Sequence, residues 1–552
     1  SQIMTKVKKN SDKSFIVQGS LLAIAGVITK IIGAVYRVPL VNILGDKGMG
    51  YYGVAFQIYA IALTLTSYSL PLAVSKLVSA RNATGQYRNA HKVFKIALTF
   101  AFTAGGGAAL LIFLGADFIA THIMAMKLSS YALRVLAPCI LVVAILGVFR
   151  GFFQGNKSMI PTAISQVLEQ IVNAAVSILG AYFLLKMAKA AKKGDDFSLA
   201  MAAVGGTLGT VAGAVSALLF LMFIFAVYQR VMKRQRRRDR TRKRESYEHI
   251  FRALLFTIAP VLLSSTVYNL SGVIDNAMFG KIMSAQGHAE SEYAGLLGIL
   301  SGKYDTLINV PLAFSNALGA SLVPNLVATV KSGNKRQVRD KIFTFVRFNM
   351  LIAIPSAVGL MVLARPLLDL IFFTENNEVS ARMLQIGAVS VIFYCLSTVT
   401  NAVHQGLDNM MVPVKSASIS IVVHMTALFI MMVVFQWGIY GVVISKIVFA
   451  ACASMLNSHA LRQKVGYVQE QKRTFWIPLL ASAIMGLAAL GTYSLFRFII
   501  GAKLATLAAL PVAVIVYGVG LVLLKGITEA EMIEMPKGAL LAKVCRKVHL
   551  FR

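Results

Sequence analysis

Long apolar stretches, separated by short polar ones, recur along the whole chain of 552 residues. The hydrocarbon core of a bilayer is about 30 Å thick, and a helix needs roughly 20 apolar residues to cross it. The stretches have this length. We therefore predict an all-α integral membrane protein with fourteen transmembrane helices, near residues 15–44, 50–80, 93–115, 129–150, 160–185, 199–228, 252–280, 294–330, 342–364, 383–403, 412–435, 438–460, 475–496 and 504–524.

The composition agrees with lipid as the main solvent of the chain. Hydrophobic residues make up 57% of it and charged residues only 14%, with a mean hydropathy of +0.71. A soluble domain carries about a quarter charged residues. No polar stretch is long enough to form a separate soluble domain, because the longest runs only over residues 229–251.

The basic residues are distributed unevenly between the loops. The chain has 55 Lys and Arg against 22 Asp and Glu, and most of the cations fall in alternate loops, which marks those loops as cytoplasmic. An even number of spans then places both termini in the cytoplasm. The loop with Lys186, Lys189, Lys192 and Lys193 departs from this rule.

The run RVMKRQRRRDRTRKR, from Arg230 to Arg244, is the most basic segment. Such a run could bind nucleic acid or anionic lipid, or serve only to orient the protein while touching lipid headgroups. We predict anionic membrane lipids as partners of the cytoplasmic basic loops, and no nucleic acid.

Two pairs of segments indicate an internal duplication. LVSARNATGQYRNAHKVF begins at Leu77 and LVATVKSGNKRQVRDKIF at Leu326, while QGNKSMIP begins at Gln154 and QGLDNMMVP at Gln405. The offsets are 249 and 251 residues. Because each repeat holds an even number of spans, we predict two six-helix lobes as parallel repeats around a central cavity, plus two C-terminal helices. The predicted divisions are 1–228 for the N-terminal lobe, 229–251 for the basic loop, 252–462 for the C-terminal lobe and 463–552 for the last two spans and tail.

Charged residues inside the spans are candidates for the site, because a charge at membrane depth is costly. Lys30 and Arg37 share one face of the first span. Gly33 and Pro39 predict a bend there. Two cations on one face suggest an anionic ligand, whereas the alternative is that Arg37 reaches the outer headgroups.

Polar residues in spans five and seven extend the candidate site. Gln166, Glu169 and Asn173 have helical spacing in span five and could line the cavity or bridge helices. In span seven, Tyr268 and Asp275 share one face and Asn276 lies beside them. Asp275 could hold a cation, pair with a basic side chain, or make a structural hydrogen bond.

The second half of the chain supplies four further candidates. Lys303 and Asp305 begin span eight, His424 lies in span eleven and Lys446 lies near the middle of span twelve. We group Lys303 and Asp305 with the substrate-binding residues. His424 and Lys446 join Asp275 as candidates for cation binding or charge pairing, although a lone histidine in a span is more often a satisfied core group.

Catalytic and nucleotide-binding motifs are missing from the sequence. It has no G-x-x-x-x-G-K-[ST] phosphate loop, no HExxH and no CxxC, and its four cysteines are scattered. We predict that the protein is not an enzyme and has no resident cofactor or metal. Coupling to sodium ions or protons is the remaining possibility for an ion.

The stretches ITKIIGAVYRVPLVNILGDKGMGYY and RGFFQGNKSMIPTAISQVLEQIVN, together with the tail EMPKGALLAKV, resemble the multidrug/oligosaccharidyl-lipid/polysaccharide exporter superfamily. Within it the chain looks most like lipid II flippases and sporulation-protein-B-type polysaccharide exporters. The resemblance implies a cationic cavity, with Lys30 and Arg37 matching family cations of the first span. Asp305 matches a family acid, but Thr306 stands where the family has Arg, and Asp275 matches an acid that binds sodium in some members.

The resemblance implies a bacterial plasma-membrane flippase. It would move lipid II or a similar undecaprenyl-pyrophosphate-linked saccharide from the inner to the outer leaflet for cell-wall synthesis, by alternating access and as a monomer. Two other functions stay open. One is a cation-coupled multidrug exporter of the same superfamily, for which Glu169 is the clear carboxylate in the first lobe. The other is a non-transporting scaffold for cell-envelope synthesis, which would have no need to bear the cost of buried charges.

Overall fold

The protein is a helical membrane protein. The computed structural model describes residues 2–373, 376–534 and 538–551, without the side chains of 3–20, 23, 320–322, 324–325 and 534. Within these ranges the regular elements are all helices, and none is a β-strand. The chain divides into two compact units, residues 1–302 and 303–552. The lobe boundaries predicted from the sequence stay a prediction.

Nine α-helices lie in the described part of the first unit, residues 2–302. They are α1 (Gln2–Thr66), α2 (Leu70–Ala83), α3 (Tyr87–Phe100), α4 (Gly106–Phe118), α5 (Ser130–Gly155), α6 (Ile160–Ala190), α7 (Asp195–Arg238), α8 (Tyr247–Ala285) and α9 (Glu290–Gly298). Short π-helical segments extend α3, α4 and α9.

Eleven α-helices lie in the described part of the second unit. They are α10 (Asp305–Lys331), α11 (Lys335–Val362), α12 (Ala364–Ile371), α13 (Glu378–Gly387), α14 (Ser390–Gly406), α15 (Met411–Phe429), α16 (Ile439–Val465), α17 (Ile477–Ile500), α18 (Ala502–Leu523), α19 (Glu529–Glu534) and α20 (Gly538–Lys547). The predicted tail motif EMPKGALLAKV covers α20, but its residues 535–537 lie outside the described residues.

Eleven helical segments of the described chain are long and apolar enough to cross a membrane, or twelve when the bent pair α13 and α14 counts as one span. The predicted number of fourteen spans is not confirmed. Two of the predicted spans fall in one continuous segment, Ile24–Ala83, and α10 is not among the eleven. Helix α10 is described only in part, without the side chains of 320–322 and 324–325.

The break in the first helix lies after the predicted bend. Helix α1 continues through Gly33 and Pro39, and its non-helical residue is Gly45, with φ 69° and ψ −176°. Residues other than glycine rarely adopt such a positive φ. This break lies in the gap between the predicted spans 15–44 and 50–80, and the bend predicted at Gly33 and Pro39 stays a prediction.

Glycines let the helices of the first unit approach closely. Helices α6 and α7 meet at Gly180 and Gly205, and a Cβ added to Gly180 would lie 2.6 Å from the carbonyl oxygen of Gly205. At the crossing of α1 and α9, a Cβ on Gly50 would overlap the backbone of Ala294. Lipid offers no hydrophobic drive for helices to associate, so close contact through small residues stabilises such pairs.

The two duplicated sequence segments have matching local structure. Helix α5 ends at Gly155 and α14 at Gly406, and both are followed by a residue with positive φ, Lys157 (60°) and Asp408 (58°). A Cβ on Gly155 would crowd Val78 of α2, and one on Gly406 would crowd Leu326 of α10. The same turn and the same close approach thus occur in each unit, which supports the duplication.

Polar contacts hold the second unit together. Asn457 of α16 donates to the Oδ1 of Asn401 at 2.7 Å, and its carbonyl oxygen lies 3.0 Å from Nε2 of His404 on α14. Near the C-terminus, the carboxylate of Glu531 on α19 accepts hydrogen bonds from Arg347 and Arg473. Burial alone would raise the pKa of Glu531, but these two arginines lower it below the ordinary value.

We predict that Gly50→Ala destabilises the first unit. The new methyl group would overlap the Ala294 backbone, and overpacking of this kind typically costs about 1–3 kcal/mol. The measurement is the thermal stability of the purified protein in detergent, followed by the loss of the monodisperse peak. Gly107→Ala in α4 is the matched control, because a Cβ there meets nothing within 4 Å. Equal stability of the two variants would contradict the close-contact interpretation.

Candidate functional site

Arg37 lies in α1 with its guanidinium only partly satisfied. Its Nη2 donates to the carbonyl oxygen of Ser301 at 2.7 Å. Its Nε is buried and has no hydrogen-bond partner among the described residues. The close crossing of α1 and α9 brings the Ser301 carbonyl to this arginine, since Gly53 of α1 packs against the Ser301 hydroxyl. Arg37 therefore keeps donor capacity for an anion.

The polar face of α6 lies beside this part of α1. Nδ2 of Asn173 donates to the Tyr36 hydroxyl at 3.4 Å, and Oδ1 of Asn173 accepts from Ser177 at 2.8 Å. Asn173 therefore links α6 to Tyr36, the residue that precedes Arg37 on α1. Lys30 is exposed and Gln166 is half-buried.

Glu169 forms an ion pair that the sequence analysis missed. Its carboxylate accepts from Nη2 of Arg150 at 2.7 Å, and the Arg150 side chain also donates from Nε to Ser165 at 3.1 Å. The Arg150 and Glu169 side chains are 15% and 23% exposed. Arg150 is the first residue of the RGFFQGNKSMIP stretch. The sequence did contain a signal for this pair, because a carboxylate inside a membrane span needs a cationic partner. A paired Glu169 is a poor candidate for binding a cationic cargo.

Helix α8 places its polar residues close to α1. Asn269 donates to the hydroxyl of Thr64 at 3.4 Å. Further along the helix, Asp275 is 2% exposed, Asn276 is 7% exposed and Tyr268 is half-buried. Asp275 is thus a carboxylate buried inside a candidate membrane span.

A second group of charged residues lies in the second unit, around Tyr304. The Tyr304 hydroxyl donates to the carbonyl oxygen of Gly387 at 3.2 Å, and both Asp305 and Lys446 act on it electrostatically. The structure thus brings Asp305 and Lys446 near one hydroxyl. Lys303 precedes Tyr304 and is 3% exposed.

His424 has surroundings that suit a structural core residue. It is fully buried on α15, its Nδ1 lies 3.0 Å from the carbonyl oxygen of Ile421, and its ring packs against Phe449. These contacts fit the structural alternative for this histidine. No group of three or more His, Cys, Asp or Glu side chains within the described ranges could hold a metal ion.

Comparison with protein families and curated proteins gives extensive matches. The family model described as polysaccharide biosynthesis protein matches residues 17–330. In Bacillus subtilis (strain 168), the lipid II flippase MurJ is 26% identical over 512 residues, covering 91% of this chain and 92% of the relative. Stage V sporulation protein B of the same organism is 26% identical over 448 residues, covering 81% and 83% of the two chains.

Two solved transporter structures illustrate the likeness in fold. An inward-facing multidrug resistance MATE family transporter of the MOP superfamily matches with a TM-score of 0.65 and 16% identity, covering 82% of this chain and 98% of that one. Lipid II flippase MurJ in an inward closed conformation matches with a TM-score of 0.65 and 14% identity, covering 91% and 97%.

These matches confirm three predictions from the sequence. The chain is a multi-pass membrane protein, it is not an enzyme, and its resemblance to the multidrug/oligosaccharidyl-lipid/polysaccharide (MOP) exporter superfamily holds. Because the family model covers more than half of its length, the chain belongs to the polysaccharide biosynthesis protein family.

Proposed function

We propose that the protein is a flippase for lipid II or a similar undecaprenyl-pyrophosphate-linked saccharide. In this proposal it carries the head group from the inner to the outer leaflet of the bacterial plasma membrane by alternating access. Both termini lie in the cytoplasm, the basic loops contact anionic lipids, and the protein acts as a monomer. The lipid II flippase and sporulation protein among its relatives support this cargo class.

The observation that carries the proposal is the incompletely satisfied guanidinium of Arg37. A pyrophosphate is a strong acceptor of charge-assisted hydrogen bonds, and arginine can present several donors to it at once. Arg37 uses Nη2 on Ser301 and keeps its buried Nε for another acceptor. Tyr36 and Asn173 add neutral donors and acceptors close by, which suits a sugar phosphate.

The charge balance of the first unit argues against a cationic drug as cargo. A drug exporter would need a carboxylate available there, and Glu169 is the candidate. Its ion pair with Arg150 neutralises it. Breaking such a partly buried pair to admit a drug would leave Arg150 without its counter-charge, which is costly. The anionic cargo therefore fits these residues better.

We predict that Arg37→Ala abolishes rescue of a strain depleted of its own lipid II flippase, while membrane abundance stays unchanged. Loss of one charge-assisted contact to the cargo corresponds to at least about a tenfold slower flipping rate. Arg37→Lys keeps the charge without the planar donor set and should recover only part of the rate. The rate is measured in vesicles with labelled lipid-linked substrate.

The matched control for this variant is Arg497→Ala, which removes an exposed arginine near the end of α17. It should rescue growth like the parent protein. Flipping at the parental rate by a protein that lacks both Arg37 and Lys30 would refute the anion-site proposal.

Asp275 is the residue through which we propose coupling to sodium ions or protons. Asp275 is a buried carboxylate inside a candidate membrane span, and an ionisable group at that depth by default marks an ion or proton pathway or a charge partner. We predict that Asp275→Asn changes the dependence of transport on sodium concentration or on pH. Gradients of each ion imposed across proteoliposomes distinguish the two. An unchanged response to both would reduce Asp275 to a structural residue.

The membrane potential is the other proposed source of energy. Moving one charge across it is worth about 2.3 kcal/mol per 100 mV, and an inside-negative potential favours the outward movement of an anionic head group. We predict that collapsing the potential slows flipping, whereas removing ATP at a fixed potential does not. Proteoliposomes with a clamped potential provide the measurement. A requirement for ATP under that clamp would overturn the assignment as a secondary carrier.

A further inference from the structure

The basic loop after α7 is fastened to the first unit through its own two acidic residues. Asp239 accepts a hydrogen bond from the backbone N–H of Arg88 at 3.0 Å, in the first turn of α3. Glu245 accepts from Nη2 of Arg81 at 2.7 Å. Burial would raise the pKa of Asp239, but hydrogen bonds from Thr241 and Arg88 lower it below the ordinary value. Both acids therefore hold the loop against the first unit.

Backbone contacts reinforce this attachment. Asn89 of α3 accepts from the backbone N–H of Glu245 at 3.1 Å, and Lys92 donates to the carbonyl oxygen of Glu245 at 2.8 Å. The guanidinium of Arg88 donates to the carbonyl oxygen of Arg236 at 3.1 Å. The loop is thus held at both ends against α2 and α3.

The cations of this segment stay exposed as a result. Helix α7 has 44 residues, about 66 Å at 1.5 Å per residue, so its basic end extends beyond a 30 Å hydrocarbon core. Nine cationic side chains of the run from Arg230 to Arg244 are exposed, and no ion pair is found for them within the described ranges. They are Arg230, Lys233, Arg234, Arg237, Arg238, Arg240, Arg242, Lys243 and Arg244.

A polar pocket lies next to these cations. It is formed where the ends of α2, α5 and α7 meet the start of α3, and its volume is about 230 Å³. The residues that line it with polar groups are Ser79, Asn82, Tyr87, Asn156, Lys157 and Gln235. Nδ2 of Asn82 donates to Oδ1 of Asn156 at 2.7 Å, which fixes two of the amides.

The chemistry of the pocket suits a sugar phosphate. Amides and hydroxyls exchange hydrogen bonds with sugar hydroxyls, and Lys157 can bind a phosphate as a point charge. The field of the neighbouring basic segment would concentrate anions at the pocket mouth. The volume is below the 300 Å³ or so of a site for a drug-sized ligand, so it can hold one sugar or phosphate group but not a whole saccharide.

We infer that this pocket is a recruitment site for a pyrophosphate-linked sugar, separate from Arg37 and on the side of the membrane that carries the basic loop. The inference rests on the proposed flippase function, because that function requires such a head group to be collected there. The bound group could belong to the lipid-linked cargo or to a soluble nucleotide sugar, which share the same chemistry. The basic segment attracts the ligand, and the pocket binds one of its groups, a sugar or a phosphate.

The test is site-specific photocrosslinking in the full-length protein. Benzoyl-phenylalanine replaces Tyr87 in protein held in phosphatidylcholine nanodiscs. One sample receives a labelled undecaprenyl-pyrophosphate disaccharide, and a second receives a labelled uridine-diphosphate sugar. We expect crosslinking to at least one probe, and Lys157→Asn should lower its yield about tenfold, the effect of losing one charged contact. Asn tolerates the positive φ of Lys157, so the turn is kept.

Lys192→Asn is the matched control. Lys192 also follows a helix end with a positive φ of 54° and is exposed, but it does not line the pocket. Its removal should leave the yield unchanged. An equal loss in both lysine variants, or no crosslink with either probe, would overturn the inference. A crosslink with either the lipid-linked probe or the soluble nucleotide sugar would support the inference, and the probe that reacts would identify the source of the sugar phosphate.

Arg37→Ala separates this inference from the proposed function. We expect that variant to lose transport while the crosslink at position 87 remains. Loss of the crosslink in Arg37→Ala would mean that the label arrives through the transport site, and the pocket would not be a separate site. A parent protein that transports without crosslinking would refute the pocket alone, whereas crosslinking without any transport would refute only the flippase proposal.

Discussion

Close approach of helix backbones through glycine is the constraint on which the first unit depends. In lipid, apolar side chains gain little by turning from the bilayer to another helix, so packing contacts must hold the helices together. Gly180 and Gly205 let α6 and α7 touch, and Gly50 does the same for α1 against Ala294. The second crossing also has a functional consequence. It brings the carbonyl oxygen of Ser301 to the Arg37 guanidinium, so the orientation of the candidate anion-binding group follows from the glycine contact.

The candidate residues differ in how they compensate the free-energy cost of a charge at membrane depth. Arg150 and Glu169 meet this cost by pairing, and Ser165 satisfies a further donor of the arginine. A pair of this kind is stable without a ligand and has little reason to release either partner. Arg37 offsets this cost only in part, because its guanidinium donates to the neutral carbonyl of Ser301 and its buried Nε has no hydrogen-bond partner among the described residues. An arginine left in this condition gains more from a passing phosphate than a neutralised pair would, which is why the two sites differ in their suitability for anionic cargo.

The sequence predicted features that depend on local pattern and missed those that depend on contacts between distant residues. Helical spans follow from apolar runs, and the duplication is supported by the shared turn at Lys157 and Asp408. The break at Gly45 lies in the gap between the predicted spans 15–44 and 50–80, but the apolar pattern alone does not say which residue of that gap leaves the helical conformation. The partner of Arg37 could not be predicted, because a backbone carbonyl such as that of Ser301 has no sequence signature.

The contacts of the basic segment after α7 go beyond what a signal for membrane orientation needs. A signal for membrane insertion needs only positive charge on the correct side, and its effect does not require the charges to be held in place. Here Asp239 accepts a hydrogen bond from the backbone N–H of Arg88, and Glu245 pairs with Arg81. The cations of the segment remain exposed beside a polar pocket. Paired in another way, Asp239 and Glu245 would have reduced the positive field by neutralising neighbouring arginines within the loop. Their use as attachment points instead fixes the basic segment beside the pocket, which orientation alone does not require.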